Sequence, residues 1–564
     1  MVGLFLSAAA LLAARALHLQ WGETEVLQHR GARLHVRVVE LPAHRGMITD
    51  RRGEPLAIST PIDTAGAAPA ELLRARERLP EVARVLDIDT ERLSGILTTR
   101  QGREFAFLKR HLPPSVSERL GALAVPGVVL CREYRRYYPA SESTAHLIGF
   151  TDIDDIGQEG LERAFDDTLR GIPGRKRVIK DNRGRVVENI EVIASGRPGR
   201  DLVLSIDKRV QHVAYRGLKS AVRRYRARAG SVVVMDAGTG EVLAAVNRPS
   251  YNPNDRRQIK GEYYRNRAFT DVFEPGSTLK PFTIAAALEA GTYHPSTVID
   301  TRPGYLRVGR HTIRDIHDYG LLDVSGIIEK SSNVGAVKMA LSLGPEVLWK
   351  SLVGLGFGRS PESGFPGEAH GTLPHYRNWR EIDHATMAFG YGLSVNAVQL
   401  ASAYTALANG GVLMPAGIVR LDAPPAGTRV ISRTVADQIR RMLEGVVTVG
   451  TGTHAQVPGY RVAGKTGTVR KTRPGGGYAK DRYLALFAGM IPASRPRLVT
   501  VVVIDEPRSG VYFGGDVAAP VFSSIMSEAV RLLDITPDDL PLRTPAPAAG
   551  VRPVRLDSGG TGTL

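Results

Sequence analysis

Phe273-Glu274-Pro275-Gly276-Ser277-Thr278-Leu279-Lys280-Pro281 is the stretch on which the fold turns. Pro275 and Gly276 make a turn, and the run after it, 282–290 (FTIAAALEA), predicts a buried helix of Ala and Leu. Pro281 suits a helix only in its first turn, where an N–H lacks an intrahelical partner anyway. Ser277 then sits at the helix N-terminus, with Lys280 one turn on along the same face. Free amide groups and the positive end of the dipole would face an oxyanion forming at Ser277. A serine, a lysine in reach and waiting N–H donors are the parts of a nucleophilic acyl-transfer site. By itself Ser-x-x-Lys is a common spacing, and such a serine serves equally well as a helix cap.

The flanking sequence supplies a sheet. Residues 231–236 (SVVVMD), the turn Ala237-Gly238-Thr239-Gly240 and 241–246 (EVLAAV) read as a hairpin, while 201–206, 483–490 and 498–504 read as strands. Helices are expected at 207–226, 324–343, 396–409, 432–444 and 519–533. Strands, then helices, then strands describe an α+β domain whose sheet is closed by distant segments around an inserted helical subdomain.

Upstream, 22–200 is mixed. Residues 33–41 partly alternate like a strand, and 67–86 and 90–98 read as helical, the first interrupted by Pro69 and Pro80. The basic, turn-rich 170–185 reads as a solvated loop, and no catalytic set is visible in this half. Before it, 2–17 (VGLFLSAAALLAARAL) is nearly all apolar. The run is short of the about 20 residues a bilayer span needs, and it lacks the basic start and cleavage site of a secretory signal. An uncleaved anchor and a signal peptide both stay open; Arg15, His18 and Trp21 favour the anchor. From 536 on, Pro, Ala, Gly and Arg dominate, which predicts a disordered tail. The expected organisation is therefore 1–21 anchor, 22–200 head, 201–535 main domain and 536–564 tail.

A chain of 564 residues, 43% apolar and 23% charged, has room for two or more full cores. The net charge of +17 suits an anionic partner such as a membrane, a wall polymer or nucleic acid. The basic residues are dispersed, and no aromatic-plus-basic cluster reads as nucleic-acid binding. Cys131 is the sole cysteine, which excludes an intrachain disulfide.

One decoy must be set aside. Gly459 to Thr466 fits the phosphate-loop pattern G-x-x-x-x-G-K-T, and Asp505-Glu506 ends an apolar run as in an ATPase strand. A phosphate loop needs a buried strand before it and a helix after it. Here polar residues and glycines precede it, and Gly467, Pro474 and three further glycines follow. The motif reads instead as an edge strand over 461–469.

Three elements now stand in order: Ser277-x-x-Lys280, Ser331-Ser332-Asn333 and Lys465-Thr466-Gly467-Thr468. A serine hydroxyl needs a base, and Lys280 can serve only when neutral. A lysine starts near a pKa of about 10.4, so burial or a second cation must lower it, and Lys465 is the candidate cation. Ser331, at the start of a helical turn, can relay a proton. Asn333 can hold Lys280 and a substrate amide together, with Ser332 pointing away. The strand 465–468 offers backbone pairing to an extended peptide, and Lys465, Thr466 and Thr468 a seat for a terminal carboxylate.

In this order and these settings the elements match the S-x-x-K, S-x-N and K-T-G set, and the chain resembles a penicillin-binding protein. Its head segments, 45–57 (RGMITDRRGEPLA) and 135–162 (RRYYPASESTAHLIGFTDIDDIGQEGLE), are similar to those of the class B, monofunctional type. With AGKTGT, FAGMIPAS and YFGGDVAAPVF, they resemble the division-specific, FtsI-like branch, over about residues 1–535. The resemblance implies a membrane anchor, an elongated α/β pedestal of the dimerisation type and a transpeptidase domain with an antiparallel sheet flanked by helices. It implies crosslinking of peptidoglycan stem peptides at the septum. Ser277 attacks a terminal D-Ala-D-Ala with Lys280 as base, and the amide groups of Ser277 and Thr468 form the oxyanion hole. Ser331, Asn333 and Lys465 complete the catalytic set, and Thr466, Gly467 and Thr468 bind substrate. β-Lactams would trap Ser277, and no metal or cofactor is called for. The implied partners are a polytopic, FtsW-like glycosyltransferase, other division proteins and the membrane, with no nucleic acid. The implied location is the inner membrane, single-pass, with the catalytic domain in the periplasm. A β-lactam sensor or a β-lactamase-like acyl hydrolase shares the same three motifs and is the rival reading.

Overall fold

The computed structural model describes residues 2–18, 36–180, 186–255, 261–473 and 475–539. The second half of the chain is built on a five-stranded sheet. Its strands are β1 (Ala229–Asp236), β2 (Val242–Arg248), β3 (Ala463–Thr472), β4 (Tyr478–Ile491) and β5 (Leu498–Asp505). They lie in the order β2-β1-β5-β4-β3, every pair antiparallel. Segments more than 200 residues apart therefore close one sheet, with β3 at its edge. Around it lie α1 (Lys208–Arg224), α2 (Lys280–Glu289), α3 (Val324–Lys330), α4 (Asn333–Ser342), α5 (Ala397–Ala408), α6 (Arg433–Thr448) and α7 (Ala519–Leu532).

The apolar runs of β1 and β5 follow from burial on both faces. Successive side chains point to opposite sides, so a doubly covered strand needs an apolar residue at every position. Val232, Val234, Phe487 and Val502 pack with Val210 and Leu218 of α1 and with Phe522 and Ile525 of α7. On the other face Val233, Met235, Leu486 and Val501 join α2 and α5 in the main core. Each fully buried valine is worth about 1.5–3 kcal/mol relative to an exposed one. Helix α2 runs through that core with every residue from Lys280 to Leu288 buried, which is why its composition is apolar nearly all round.

The head carries a sheet centred on the strand Pro55–Ala67, flanked by Ala106–Leu112 and Val128–Tyr137. Helices Leu79–Leu86, Thr90–Thr99 and Pro114–Ala122 cover it through Leu86, Leu93, Leu97 and Leu120. The quoted segments 45–57 and 135–162 meet in its interior. Arg45 donates to Glu162 (2.9 Å) and Asp166 (2.6 Å), and Arg136 donates to Glu162 (2.6 Å), with both arginines and Glu162 buried. At the junction Leu202–Val203 pairs in parallel with Ile48–Thr49. There the N-terminus of α1 donates from Lys208 N to Asp50 (3.1 Å), and Arg51 bridges Glu241 (3.2 Å).

Four sequence expectations are corrected. Residues in the expected loop 170–185 form the strand Gly174–Lys180, paired on both sides by Val36–Leu41 and Val186–Ala194. Its charged residues hid the strand, but Val178 anchors it, fully buried. The expected strand 201–206 is only two residues long, because the chain leaves it to bond Ser205 N to Ile418 O. The single helix expected at 324–343 is two helices, α3 and α4. Residues 536–539, assigned to the tail, are bound: Asp538 accepts from Arg461 N (2.7 Å) and Ser494 N (3.1 Å). The rest of the expected tail lies outside the described residues, as does Trp21. Val2–Leu17 is a helix of 16 residues, and no helix among the described residues is long and apolar enough to cross a membrane.

Candidate active site

Ser277 lies in a tight 3₁₀ turn, Gly276–Leu279, that leads directly into α2. Pro281 falls in the first turn of α2, as its missing N–H requires. Gly276 is needed twice. Its φ of +54° is left-handed, and a Cβ there would come within 2.5 Å of Val469 Cγ2 on β3. The same close approach puts the Ser277 turn against the edge strand. A Cβ at Gly467 would meet Thr278 Cγ2 at 3.0 Å. From α5, the Tyr404 hydroxyl donates to Thr278 O (2.8 Å) and holds the turn from behind. Ser277 is half-buried, and its hydroxyl makes no hydrogen bond among the described residues.

Lys280 is fully buried. Its Nζ donates to Ser331 O (2.5 Å), Ser331 Oγ (3.2 Å) and Asn333 Oδ1 (2.8 Å). An ammonium fills all three contacts as a donor. A neutral amine donates to the two carbonyl oxygens and accepts from the Ser331 hydroxyl, so the cage fits both forms. Burial pulls the Lys280 pKa well below its ordinary value, the Lys465 charge lowers it further, and Asp315 opposes them. Lys465 is itself fully buried, with only long contacts to Thr466 O (3.3 Å) and Thr466 Oγ1 (3.5 Å). Burial brings it down to about 7.

Ser331 does not open a helical turn, as the sequence suggested. It ends α3 in the left-handed region, with φ +60° and ψ +39°. Ser332 is the residue that caps: its Oγ accepts from Gly335 N (2.9 Å) and donates to Asp315 Oδ2 (2.6 Å). Asp315 also accepts from Asn333 N (2.5 Å) and Val334 N (3.1 Å). It therefore fixes the start of α4, and with it Asn333. Sequence reasoning missed Asp315, whose only local signal is a carboxylate after the strand His311–Arg314.

The strand expected at 461–469 is Ala463–Thr472, with Lys465, Thr466, Gly467 and Thr468 all on it and no helix following. Thr466 Oγ1 lies 2.7 Å from Thr451 Oγ1, and Thr468 Oγ1 accepts from Gly514 N (2.9 Å). Glu274, three residues before Ser277, accepts from Gly392 N (2.8 Å) and Tyr478 OH (3.1 Å), and burial raises its pKa. The structure thus gathers Lys280, Ser331, Asn333 and Lys465 in one cluster, with the Ser277 turn packed on the strand that carries 465–468. Among the described residues no group of His, Cys, Asp and Glu could hold a metal ion.

The penicillin-binding protein transpeptidase domain matches residues 230–527, and the penicillin-binding protein dimerisation domain matches 40–204. Peptidoglycan D,D-transpeptidase FtsI of Escherichia coli K12 is 41% identical over 544 residues, which cover 95% of this chain and 92% of that protein. This chain belongs to the penicillin-binding protein family. The probable peptidoglycan D,D-transpeptidase PbpC of Pseudomonas aeruginosa is also 41% identical, over 96% of this chain and 95% of that protein. Among solved structures, the penicillin-binding protein resembles the transpeptidase domain of Burkholderia pseudomallei penicillin-binding protein 3. The two share 46% identity with a TM-score of 0.56, over 60% of this chain and 98% of that one. Penicillin-binding protein 3 of Mycobacterium tuberculosis, complexed with aztreonam, matches at 28% identity and a TM-score of 0.70, over 89% of this chain and 98% of that one.

Proposed function

We propose that this penicillin-binding protein is a septal peptidoglycan D,D-transpeptidase that works through an acyl-enzyme on Ser277. The observation that carries the reading is the Lys280 amine, buried, caged by Ser331 and Asn333 and depressed by burial and by Lys465. A lysine in that state is neutral often enough to take the Ser277 proton. Ser277 Oγ bonds to the carbonyl carbon of the penultimate D-Ala. The oxyanion meets the amide groups of Ser277 and Thr468, and the bond to the terminal D-Ala breaks. The proton on Lys280 passes by way of the Ser331 hydroxyl to the leaving amine. In the second half an amine of a neighbouring stem, relieved of its proton by the same route, attacks the ester, forms the crosslink and frees Ser277. The donor peptide lies extended along β3, its terminal carboxylate toward Lys465, Thr466 and Thr468. β-Lactams enter as donor analogues and stay on Ser277.

Domain limits of 22–200 for the pedestal and 201–535 for the transpeptidase domain, and a single-pass inner-membrane anchor in 1–21, belong to the same reading. It places the catalytic domain in the periplasm. The apolar run Val2–Leu17 supports the anchor, and family likeness supports an FtsW-like glycosyltransferase partner. Mass spectrometry of the penicillin adduct tests the reading: one acyl group on Ser277 is expected, and attachment elsewhere sinks it. Rapid release of that label, without transfer from a D-Ala-D-Ala thioester to an added amine, would mark a hydrolase instead. Deleting residues 1–21 should leave penicillin binding intact and abolish function in cells.

A further inference from the structure

The Asp505-Glu506 pair that mimics an ATPase strand has no part in the chemistry above. It sits at the end of β5 as the base of a cation cluster. Glu506 lies within reach of Lys471 (2.9 Å), Arg508 (3.0 Å), Arg228 (3.5 Å) and Arg482 (3.9 Å). Asp505 shares two of them, Lys471 (2.6 Å) and Arg228 (3.8 Å). Two carboxylates thus hold four cations. The acids are sunk, with side chains 13% and 6% exposed, while Arg482, Arg228 and Arg508 are 40%, 50% and 64% exposed. Burial pushes the Glu506 pKa up, yet the hydrogen bonds from Lys471 and Arg508 bring it down to about 2, so its charge persists. Arg223, Arg224 and Arg226, all exposed at the end of α1, extend the surface. Arg508 N donates to Tyr225 O (2.8 Å) and ties that helix end to the cluster. Cations are in excess at the surface, with the Asp516 carboxylate beside Arg224 and Asp481 beside Arg482 as the exposed acids.

Its placement selects the partner. Lys471 is on β3, six residues beyond Lys465, or about 20 Å along the strand that offers pairing to the donor peptide. Helix α1, about 25 Å long, begins at the head with Lys208 on Asp50 and ends at the cluster. Strand β1 runs back the opposite way, from Ala229 beside Asp505 to Asp236 near Glu241, which bridges Arg51 of the head. The cluster therefore lies at the end of the domain away from the head, on the same strand as Lys465. A cationic surface beside the strand that pairs with the donor peptide suits an anionic polymer.

We propose that the surface formed by Arg223, Arg224, Arg228, Lys471, Arg482 and Arg508 docks a carboxylate-bearing peptidoglycan strand and holds it beside the edge strand β3. The proposal rests on the transpeptidase reading for its substrate, but binding is measured without turnover. The full chain is sedimented with purified, lipid-free peptidoglycan sacculi at rising salt, and in parallel with vesicles of anionic phospholipid. Binding to sacculi should weaken steeply between about 50 and about 300 mM salt, and should be lost when the sacculus carboxylates are amidated. The triple variant R223E/R224E/R508E should bind about tenfold more weakly. A charge-matched control in the head, R100E/R103E/R92E, should bind as the parent does. Penicillin acylation rates, measured in parallel, should be equal in all three proteins and confirm that the variants are folded. Equal weakening by the control would show that net charge alone acts and overturn the proposal. Unchanged binding by the triple variant, or capture by vesicles in place of sacculi, would overturn it as well. Loss of penicillin labelling in the parent would instead sink the transpeptidase reading.

Discussion

The molecule buries charge in two places, in opposite ways. In the head, Arg45 closes on Glu162 and Asp166 and Arg136 closes on Glu162, so each buried guanidinium meets a carboxylate. At the cleft, Lys280 and Lys465 are buried as like charges, and Lys280 is held by neutral oxygens alone. The first arrangement is at rest: opposite charges offset the cost of desolvation, and the result is architecture. The second leaves the cost standing, and a proton on Lys280 is held weakly enough to be exchanged. Paired burial makes a strut, and unpaired burial makes a base.

Breaking each cluster should therefore give opposite phenotypes. At the cleft, Lys280→Met should lower the second-order rate of penicillin acylation by roughly 10²–10⁴-fold, while thermal unfolding shows a protein at least as stable as the parent. In the head, Glu162→Gln should cost about 3–5 kcal/mol by urea denaturation, since buried Arg136 loses its carboxylate partner and buried Arg45 keeps only Asp166. Acylation per folded molecule should stay the same. If Glu162→Gln slowed acylation and spared stability, the contrast would fail.

Smaller effects sharpen the electrostatics. The Lys465 charge lowers the Lys280 pKa and Asp315 raises it. Lys465→Met should then move the rising limb of the acylation pH profile upward by about one unit, and Asp315→Asn should move it downward by a similar amount. Two shifts of the same sign would show that the two groups act through structure alone. Lys465 also links stability to pH. It is about half protonated near pH 7 when folded, and fully protonated there when unfolded. Unfolding takes up protons between about pH 7 and about pH 10.5, so stability rises with pH across that window. The penalty is full below it and absent above it. The gap in urea midpoint between parent and Lys465→Met should narrow from about pH 7 to about pH 10.

The parts of this contrast that sequence exposes are local ones. FTIAAALEA announces a helix apolar on all sides, and a lysine at its start has no option but burial. The strand 498–504 and the hairpin at 231–246 are written in alternating or continuous apolar residues, and both are found. What stayed hidden is non-local. Between Val324 and Leu343 the only local sign of a break is the cap-forming Ser332, and the break is fixed from outside by Asp315, 17 residues earlier, which binds the Ser332 hydroxyl and the Asn333 amide. The strand Gly174–Lys180 looked like a loop because it is rich in charge, with Arg175 and Arg177 facing solvent, and only its partners on both sides reveal it. The pairing of Arg45 with Glu162 spans 117 positions, and no pattern along the chain reports it.

Ser331 sits in a left-handed backbone that glycine or asparagine would adopt with less strain, at an expense of about 1–2 kcal/mol. That conformation aims its carbonyl and its hydroxyl at the same amine. A campaign to toughen this protein by relaxing awkward backbone positions would choose residue 331 early, and would gain heat resistance while erasing the proton's way out.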